Sequence, residues 1–282
     1  MSNGVFHCSE TAWCPGCGNF DIVNTLTGVL DDLKLKPSEL LLVGGIGQAA
    51  KLNQYVNANG FSGLHGRALP AAAAAKMVNE KLTVIVDTGD GDSYGEGGNH
   101  FLHNIRRNVD ITHFAHDNQI YGLTKGQTSP TSDPCSEDRT GACNLSKPFN
   151  PLMIALAAGA TFVARSFSGN KEHLAKTMKA AIQHKGYALV DILQPCVSFN
   201  KVNTFGYYKE HTYELEEGYD KTDLQTAVLR SMEYGPKIPI GILYQVQKPT
   251  YHQQRPAIYD GTLMVDKQLS EKKLEALLAK YA

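Results

Sequence analysis

No stretch of this chain comes near the roughly 20 consecutive apolar residues that a membrane helix needs, although 42% of its 282 residues are hydrophobic. Charge of one sign is also missing: 27 Lys and Arg stand against 28 Asp and Glu, a formal net charge of −1. Such a balance lacks the long-range field that recruits nucleic acid or an anionic membrane, so neither is an expected partner. Small molecules and proteins are. Met1-Ser2-Asn3-Gly4 offers neither the basic region nor the apolar core of a signal peptide, so a cytoplasmic setting is expected. Internal repeats and low-complexity tracts are absent. Cysteine is sparse, with six residues, and only one Cys-x-x-Cys occurs. In a reducing compartment such a pair serves as a metal or redox site rather than a structural disulfide.

What is present is an alternation of helical and strand patterns, the mark of an α/β chain with a parallel sheet. Ile22, Leu26, Val29, Leu30 and Leu33 recur at helical spacing. Leu40 to Val43 is a short buried strand that breaks at Gly44-Gly45, and Pro70 to Val78 is an Ala-rich helix with Pro in its first turn. Leu82 to Val86 is a second strand, Glu96 to Arg107 a helix weakened by Gly97 and Gly98, and Ile111 to Ala115 a third strand. Thr124 to Lys147 is rich in Ser, Thr, Pro and Gly; a loop that long inside a compact domain is usually functional. Helix, strand, helix and strand follow at Pro151–Ala158, Thr161–Ala164, Lys171–His184 and Ala188–Ile192. The pattern then loosens. A helix near Asp223–Met232, an apolar stretch Ile240–Tyr244 and an amphipathic helix Lys272–Tyr281 remain. The expected organisation is a main domain over 1–208 with an extension, 209–282, that packs on it or on a partner subunit.

The turn Gly89-Asp90-Gly91 lies at the carboxyl end of the second strand, where open α/β sheets bind their ligands. Mg²⁺ is usually held by one or two carboxylates together with substrate phosphates, and flanking glycines let backbone approach a diphosphate. A Gly-Asp-Gly tripeptide alone is equally a surface turn. However, Asn118 follows Asp90 by 28 residues, about one βαβ unit, which returns the chain beside its start. Asp90, the Asn118 amide oxygen and the Ile120 carbonyl would then face one metal ion. His65-Gly66-Arg67 ends a segment before a helix and either reaches the same cofactor or serves the fold.

Trp13-Cys14-Pro15-Gly16-Cys17-Gly18 forms a tight turn able to point two thiolates at one metal. Thiolates suit zinc or an iron–sulfur cluster, and either needs about four ligands. Cys196, in Gln194-Pro195-Cys196, is a plausible distant ligand; Cys8, Cys135 and Cys143 are the others. A thiol–disulfide pair, or cysteines buried as small apolar residues, are the alternatives.

Taken together, these blocks resemble the β subunits of 2-oxoacid:ferredoxin oxidoreductases, especially the 2-oxoglutarate type. The likeness runs from about Trp13 to Phe205. It is carried by Trp13–Asn19, Gly45-Ile46-Gly47, Leu64–Pro70, Thr88–Asp92, Gly97–Phe101, Tyr121–Ser132, Pro148–Pro151, Gly159–Arg165 and Pro195–Asn200. The resemblance implies a parallel-sheet thiamine diphosphate-binding fold of the diphosphate type, with helices on both faces. It implies thiamine diphosphate held through Mg²⁺ by Asp90, Asn118 and Ile120. Around the cofactor it places Gly45, Gly47, His65, Gly66, Gly89, Gly91, Asp92, Tyr121, Gly122, Leu123 and Thr124, with His65, Leu123 and Lys125 at the reacting end. It also implies a [4Fe-4S] cluster on Cys14, Cys17, Cys196 and a fourth cysteine, where this chain has Gln48. An amide is a poor ligand for cluster iron. Cys8, Cys135 or Cys143 could replace it, the cluster could persist in altered form, or it could be lost.

The implied reaction is CoA-dependent oxidative decarboxylation of a 2-oxo acid to acyl-CoA and CO₂, with electrons passed to ferredoxin. Lys125 suits the distal carboxylate of a dicarboxylic substrate such as 2-oxoglutarate, unless it simply faces solvent. Thiamine diphosphate also needs a pyrimidine-binding domain, which this chain lacks. An α subunit, or α plus γ, is therefore expected to carry it. Two other functions stay open: a non-oxidative thiamine diphosphate-dependent decarboxylase or synthase half, and a non-catalytic cysteine-ligated metal or redox module.

Overall fold

The structure is a computed structural model that describes residues 4–7, 9–134, 141, 144–255, 260–268 and 270–281. In chain order it runs α1 (Asn19–Asp32), β1 (Leu40–Gly44), α2 (Leu52–Tyr55), β2 (Asn59–Ser62), α3 (Ala68–Val78) and β3 (Thr83–Gly89). Next come a π-helical turn (Gly91–Glu96), α4 (Gly98–Arg107), β4 (Thr112–Asp117), β5 (Ile120–Tyr121) and β6 (Gln127–Thr128). The second half holds α5 (Pro151–Ala157), β7 (Phe162–Phe167), α6 (Lys171–Gln183), β8 (Ala188–Leu193) and α7 (Phe205–His211). It ends with β9 (Thr212–Glu214), α8 (Leu224–Ser231), β10 (Ile238–Gln245) and α9 (Glu271–Leu278).

Eight strands form one sheet in the order β2-β1-β3-β4-β8-β7-β10-β9, and β5 with β6 forms a separate hairpin. Every pair in the large sheet is parallel except β10 against β7. Parallel strands need crossovers that cover both faces, which is why β3, β4, β7 and β8 are buried along almost their whole length, polar residues included. Side chains alternate between the faces. Val84 and Val86 join Leu69, Ala72, Phe101, Ile105 and Leu152 in one core layer. Ile85 and Phe114 join Ile22, Leu26, Leu30, Leu174 and Met178 in the other. The expected α/β architecture with helices on both faces is present.

The expected elements appear within a few residues of their predicted bounds. Two departures bear on the site. β3 continues past Val86 to Gly89, so the Gly-Asp-Gly turn begins on the strand itself. The helix expected from Glu96 to Arg107 is α4, which starts two residues later, and an unexpected π-helical turn precedes it; such turns recur at functional sites. β2 was not expected. It is an edge strand exposed at all four residues, so no burial pattern marked it. The apolar stretch near Ile240 is β10, and it puts part of the 209–282 segment into the main sheet. Among the described residues, no helix is long and apolar enough to cross a membrane.

Polar groups buried between β3 and β4 hold these strands in register. His113 accepts or donates at Nε2 to Thr88 and Ser93, both at 2.9 Å, and bonds Tyr187 Oη through Nδ1 at 2.7 Å. Burial, and secondarily His116, lowers His113 to about 3, so it is neutral when folded. The unfolded chain protonates this histidine near its ordinary value of about 6.5. Below that pH the unfolded state binds more protons, so the contribution of His113 is full above it and lost as pH falls, by about 1.4 kcal/mol per unit. We expect a His113→Asn variant to be less stable than the parent at pH 7.5. Between pH 7.5 and 5.5 it should lose about 1.4 kcal/mol less than the parent does. Urea unfolding at the two pH values measures the difference.

Candidate active site

β3 and β4 pair with Gly89 opposite His116. Asp90 and Asp117 therefore leave the sheet side by side, and Asn118 follows at once. β8 lies on the other side of β4, with Leu193 opposite Asp117, and brings Gln194-Pro195-Cys196 to the same end. Three neighbouring strand ends thus gather the predicted metal corner and one predicted cysteine.

Asp90 is 2% exposed. Its Oδ2 accepts hydrogen bonds from Ser129 Oγ and, at 2.6 Å, from Thr131 Oγ1. Thr131 Oγ1 also lies 2.7 Å from Asp117 Oδ1. One hydroxyl carries one proton, so it cannot donate to both carboxylates; a proton or a cation must serve the second. Burial pushes Asp90 up to about 6, against the hydroxyl and Gly91 N–H hydrogen bonds that lower it. Asp117 is raised well above the usual carboxylate range by burial and then by Asp191 and Asp90. Asp191 is raised by burial despite Arg165, whose Nε is 3.8 Å from Asp191 Oδ2, and despite a 2.9 Å hydrogen bond from Tyr94. Among the described residues, three buried carboxyls thus face one buried guanidinium. A divalent cation at Asp90 would relieve that excess, so the residues fit Mg²⁺.

Asn118 Oδ1 accepts from Ile120 N–H at 3.0 Å. An amide oxygen has two lone pairs, so one stays open to a cation. Gln119 between them adopts a left-handed conformation, φ 59°, and this reverses the chain so that Asn118 and Ile120 belong to one tight corner. Asn118 and Ile120 thus share one corner, and strand pairing sets Asp90 beside Asp117, the residue before Asn118.

Asp92 does something different. Its Oδ1 accepts from Gly66 N–H at 2.8 Å and Ile46 N–H at 3.1 Å, and lies 2.7 Å from His65 Nδ1. It ties the Gly45–Gly47 loop and the His65-Gly66 turn to the Gly-Asp-Gly turn. A Cβ on Gly45 would fall 2.1 Å from Asp92 Oδ2, and one on Gly91 2.2 Å from the Tyr121 ring. Tyr121 Oη donates to Glu96, 3.1 Å from Oε2, and its ring lies edge-on to His65. These contacts build a cradle floored by backbone, the form that suits a diphosphate. Gly122, Leu123, Thr124 and Lys125 follow Tyr121 on the turn that joins β5 to β6; Leu123, Thr124 and Lys125 are exposed, and Lys125 is left-handed at φ 71°.

The cysteine corner is adjacent. Cys17 N–H donates to Cys14 O at 3.0 Å, and Gly16 lies against Val197, next to Cys196. Burial pushes the Cys17 thiol up to about 11, with Cys196 and Cys14 adding to the rise. Trp13 Nε1 donates to Gln48 O at 2.8 Å, so Gln48 joins the same corner, and its Oε1 is buried without a hydrogen-bond partner. Yet among the described residues no three His, Cys, Asp or Glu side chains are grouped so as to hold a metal. Cys17 neighbours both Cys14 and Cys196, but the three thiols do not form a metal-holding group, and a four-thiolate site does not exist among the described residues. Cys8, Cys135 and Cys143 lie outside the described residues.

Sequence reasoning missed Asp117, Ser129, Thr131, Glu96 and Gln194. Ser129 and Thr131 sit in the polar loop already singled out by its length, Asp117 adjoins Asn118, and Gln194 lies two residues before Cys196. Glu96 had no signal, being one acid on a predicted helix.

Residues 45–192 match the family model of the thiamine pyrophosphate enzyme, C-terminal TPP binding domain. Residues 196–260 match the model of the C-terminal region of the pyruvate ferredoxin oxidoreductase β chain. The chain belongs to the β subunits of the 2-oxoacid:ferredoxin oxidoreductases. The β subunit of the 2-oxoacid:ferredoxin oxidoreductase of Saccharolobus solfataricus is 41% identical over 87% of this chain and 85% of its own. The 2-oxoglutarate oxidoreductase subunit KorB of Mycobacterium tuberculosis is 44% identical over 68% of this chain and 52% of its own. A solved structure of the 2-oxoglutarate:ferredoxin oxidoreductase of Magnetococcus marinus, with 2-oxoglutarate, coenzyme A and succinyl-CoA bound, aligns with a TM-score of 0.90. It is 35% identical and covers 97% of this chain and 94% of that one. Membership as a β subunit implies partner subunits.

Gly91→Ala tests the cradle, because its Cβ would enter the Tyr121 ring. We expect affinity for thiamine diphosphate with Mg²⁺ to fall by at least about tenfold, with the far-ultraviolet circular dichroism spectrum unchanged. Isothermal titration calorimetry reads it.

Proposed function

We propose that this chain holds the diphosphate end of thiamine diphosphate in a CoA-dependent 2-oxoacid:ferredoxin oxidoreductase that prefers 2-oxoglutarate. The observation that carries the reading is the excess of buried carboxyls at Asp90, Asp117 and Asp191 over Arg165, beside the open lone pair of Asn118. Asp90, Asn118 Oδ1 and the Ile120 carbonyl would hold Mg²⁺, and the turns at Gly45–Gly47, Gly66 and Gly89–Gly91 would meet the diphosphate. When bound, thiamine diphosphate supplies the carbanion chemistry that lets a 2-oxo acid lose CO₂. The residues of this chain bind and orient it. Asp92 keeps the two glycine turns closed on one another through Ile46 N–H and Gly66 N–H, and His65 is fixed against Asp92 at the rim. Lys125 stands at the hairpin tip as the charge for the distal carboxylate of a dicarboxylic substrate.

The aminopyrimidine end requires a second α/β domain, supplied in this reading by an α subunit, with ferredoxin as the electron acceptor. Cys14, Cys17 and Cys196 are the residues for an iron–sulfur cluster. Gln48 leaves its fourth position without a thiolate, so no electron step is assigned through it. That same residue favours a second reading, a non-oxidative thiamine diphosphate enzyme without a cluster. Iron and acid-labile sulfide analysis after anaerobic purification separates the two.

The isolated chain should show no decarboxylation, and the complex with its partner should oxidise 2-oxoglutarate; robust activity of the chain alone would sink the half-site reading. In the complex, Asp90→Asn should abolish Mg²⁺-dependent cofactor binding. Lys125→Ala should raise the KM for 2-oxoglutarate about tenfold, worth about 1.4 kcal/mol, and leave that for pyruvate nearly unchanged. Steady-state kinetics with both substrates decide it.

A further inference from the structure

The outer face of α4 has no role so far. The helix reads GNHFLHNIRR, with arginines and histidines but neither an acid nor a lysine. Its inner residues Phe101 and Ile105 join Leu69 and Ala72 of α3 in one core layer. Asn99, Leu102, His103 and Arg106 recur at helical spacing on the other side, where Asn99, Leu102 and Arg106 are exposed. At the rise of an α-helix this stripe is about 10 Å long. Its upper end adjoins the cradle. Arg67, two residues after His65, places Nη1 2.8 Å from His100 Nε2. A guanidinium can only donate, so His100 accepts there and its ring is neutral. Burial, and then Arg67, lowers His100 from its ordinary value. The positive charge of this face therefore rests on arginine.

Arg67, Arg106 and Arg107 are exposed, and among the described residues none of them is paired with an acid. The acids that flank α4 in sequence are engaged elsewhere. Glu96 accepts from Tyr121 Oη and lies 3.5 Å from His65 Nδ1. Asp110 lies 3.1 Å from Lys76 Nζ and 3.8 Å from Lys185 Nζ. The helix dipole favours Arg106 and Arg107 at the carboxyl end of α4. It opposes Arg67, which stands at the N-cap of α3, the end that disfavours a cation. The fold thus gains nothing from the charge of Arg67. Arginines without acids, set among the exposed Leu64 and Leu102, have the composition of a protein interface, where arginine is enriched and lysine depleted.

We propose that this face, from Arg67 and His100 down to Arg106, docks an acidic surface of the subunit that closes the cradle. This rests on the reading of the cradle as half of a site shared with a partner. A stable interface takes roughly 20–30 residues a side, far more than the exposed Ile46, Leu64 and Leu123 of the rim. A covering subunit must therefore extend past the rim, and the outer face of α4 adjoins it through Arg67. The charge decides the kind of surface. A second copy of this chain, seated on the same face, would set arginines against arginines. An acidic surface instead pairs with each of them, and complementary charge of this kind speeds association and fixes orientation.

The test uses the complex with its partner subunit. Its dissociation is followed by sedimentation velocity from about 0.01 M to about 1 M salt, over which the screening length falls from about 30 Å to about 3 Å. The parent complex should dissociate more readily as salt rises. Arg67→Glu with Arg106→Glu should raise the dissociation constant at least about tenfold at low salt and flatten its salt dependence. Arg67→Lys with Arg106→Lys keeps the charge and should keep the salt dependence. Lys176→Glu with Lys179→Glu makes the same change of net charge on α6, which covers the opposite face of the sheet, and should leave the dissociation constant unchanged. Thermal melting of each variant chain checks its fold; if the arginine reversal melts early, Arg67→Gln with Arg106→Gln carries the test with a smaller rise. A reversed complex as tight as the parent, or an α6 variant that loosens it equally, overturns the docking surface and leaves the half-site reading standing. Decarboxylation by the chain without a partner is the separate result that overturns the half-site reading, and the docking surface with it.

Discussion

The functional end of this molecule depends on the register between β3 and β4. In a sheet, a slip of one residue turns every side chain to the opposite face. Here that would carry Asp87 and His116 away from Asn19, and Thr88 and His113 away from Ser93 and Tyr187. His116 Nδ1 bonds Asn19 Oδ1 at 2.8 Å, and its Nε2 stands 3.5 Å from Asp87. This set faces α1, whereas the His113 set faces the opposite layer. Two buried polar networks, one on each face, thus agree on a single register. That register delivers Asp90 and Asp117 as neighbours. It also fixes where α1 begins, and α1 begins two residues after Cys17. The cation corner and the cysteine corner share one set of constraints.

The acids of the Gly-Asp-Gly-Asp turn show how the same residue type is put to two uses by its surroundings. Asp92 is raised by burial, but two backbone N–H groups and His65 oppose the shift. Its charge is spent on holding loops. Asp90 receives hydroxyls, and one of these is shared with a second carboxyl. Hydroxyls rotate and can surrender their hydrogen bonds to an arriving cation at little cost; backbone donors in closed turns cannot. The first acid is built to exchange its partners and the second to keep them.

Most of the fold could be read from the sequence because parallel strands buried on both faces carry short apolar runs, and amphipathic helices separate them. β2, exposed at every residue, and the short α7 and β9 carry no such pattern. At this end of the sheet, the neighbouring places of Asp90 and Asn118 were legible since a strand end and a βαβ length fix their spacing. Thr131 and Ser129 were not, because a loop with no period gives no register from which to count. Gln194 was visible only as a neighbour of Cys196. Its hydrogen bonds depend on which way two amides point, and that follows from the Ile120 N–H, a backbone atom whose place no sequence pattern specifies. The substitution of Gln48 was legible as a departure from the family, and the structure sets that residue in the cysteine corner beside Trp13.

In the proposed reading the cofactor cradle is half of an enclosed site. Ile46, Leu64 and Leu123 are 40%, 75% and 42% exposed on separate loops at this end of the sheet, and exposed apolar residues grouped at one end favour a covering surface. Lys125 sharpens the point. At about 4 Å in bulk water an ion pair is worth about 1 kcal/mol, and about four times that at an effective dielectric of 20. At an exposed hairpin tip its charge would discriminate poorly between a mono- and a dicarboxylic acid. The same lysine gains selectivity once a partner surface excludes water from the tip. In the proposed reading, substrate preference through Lys125 is a property of the assembled enzyme, created when the rim is covered.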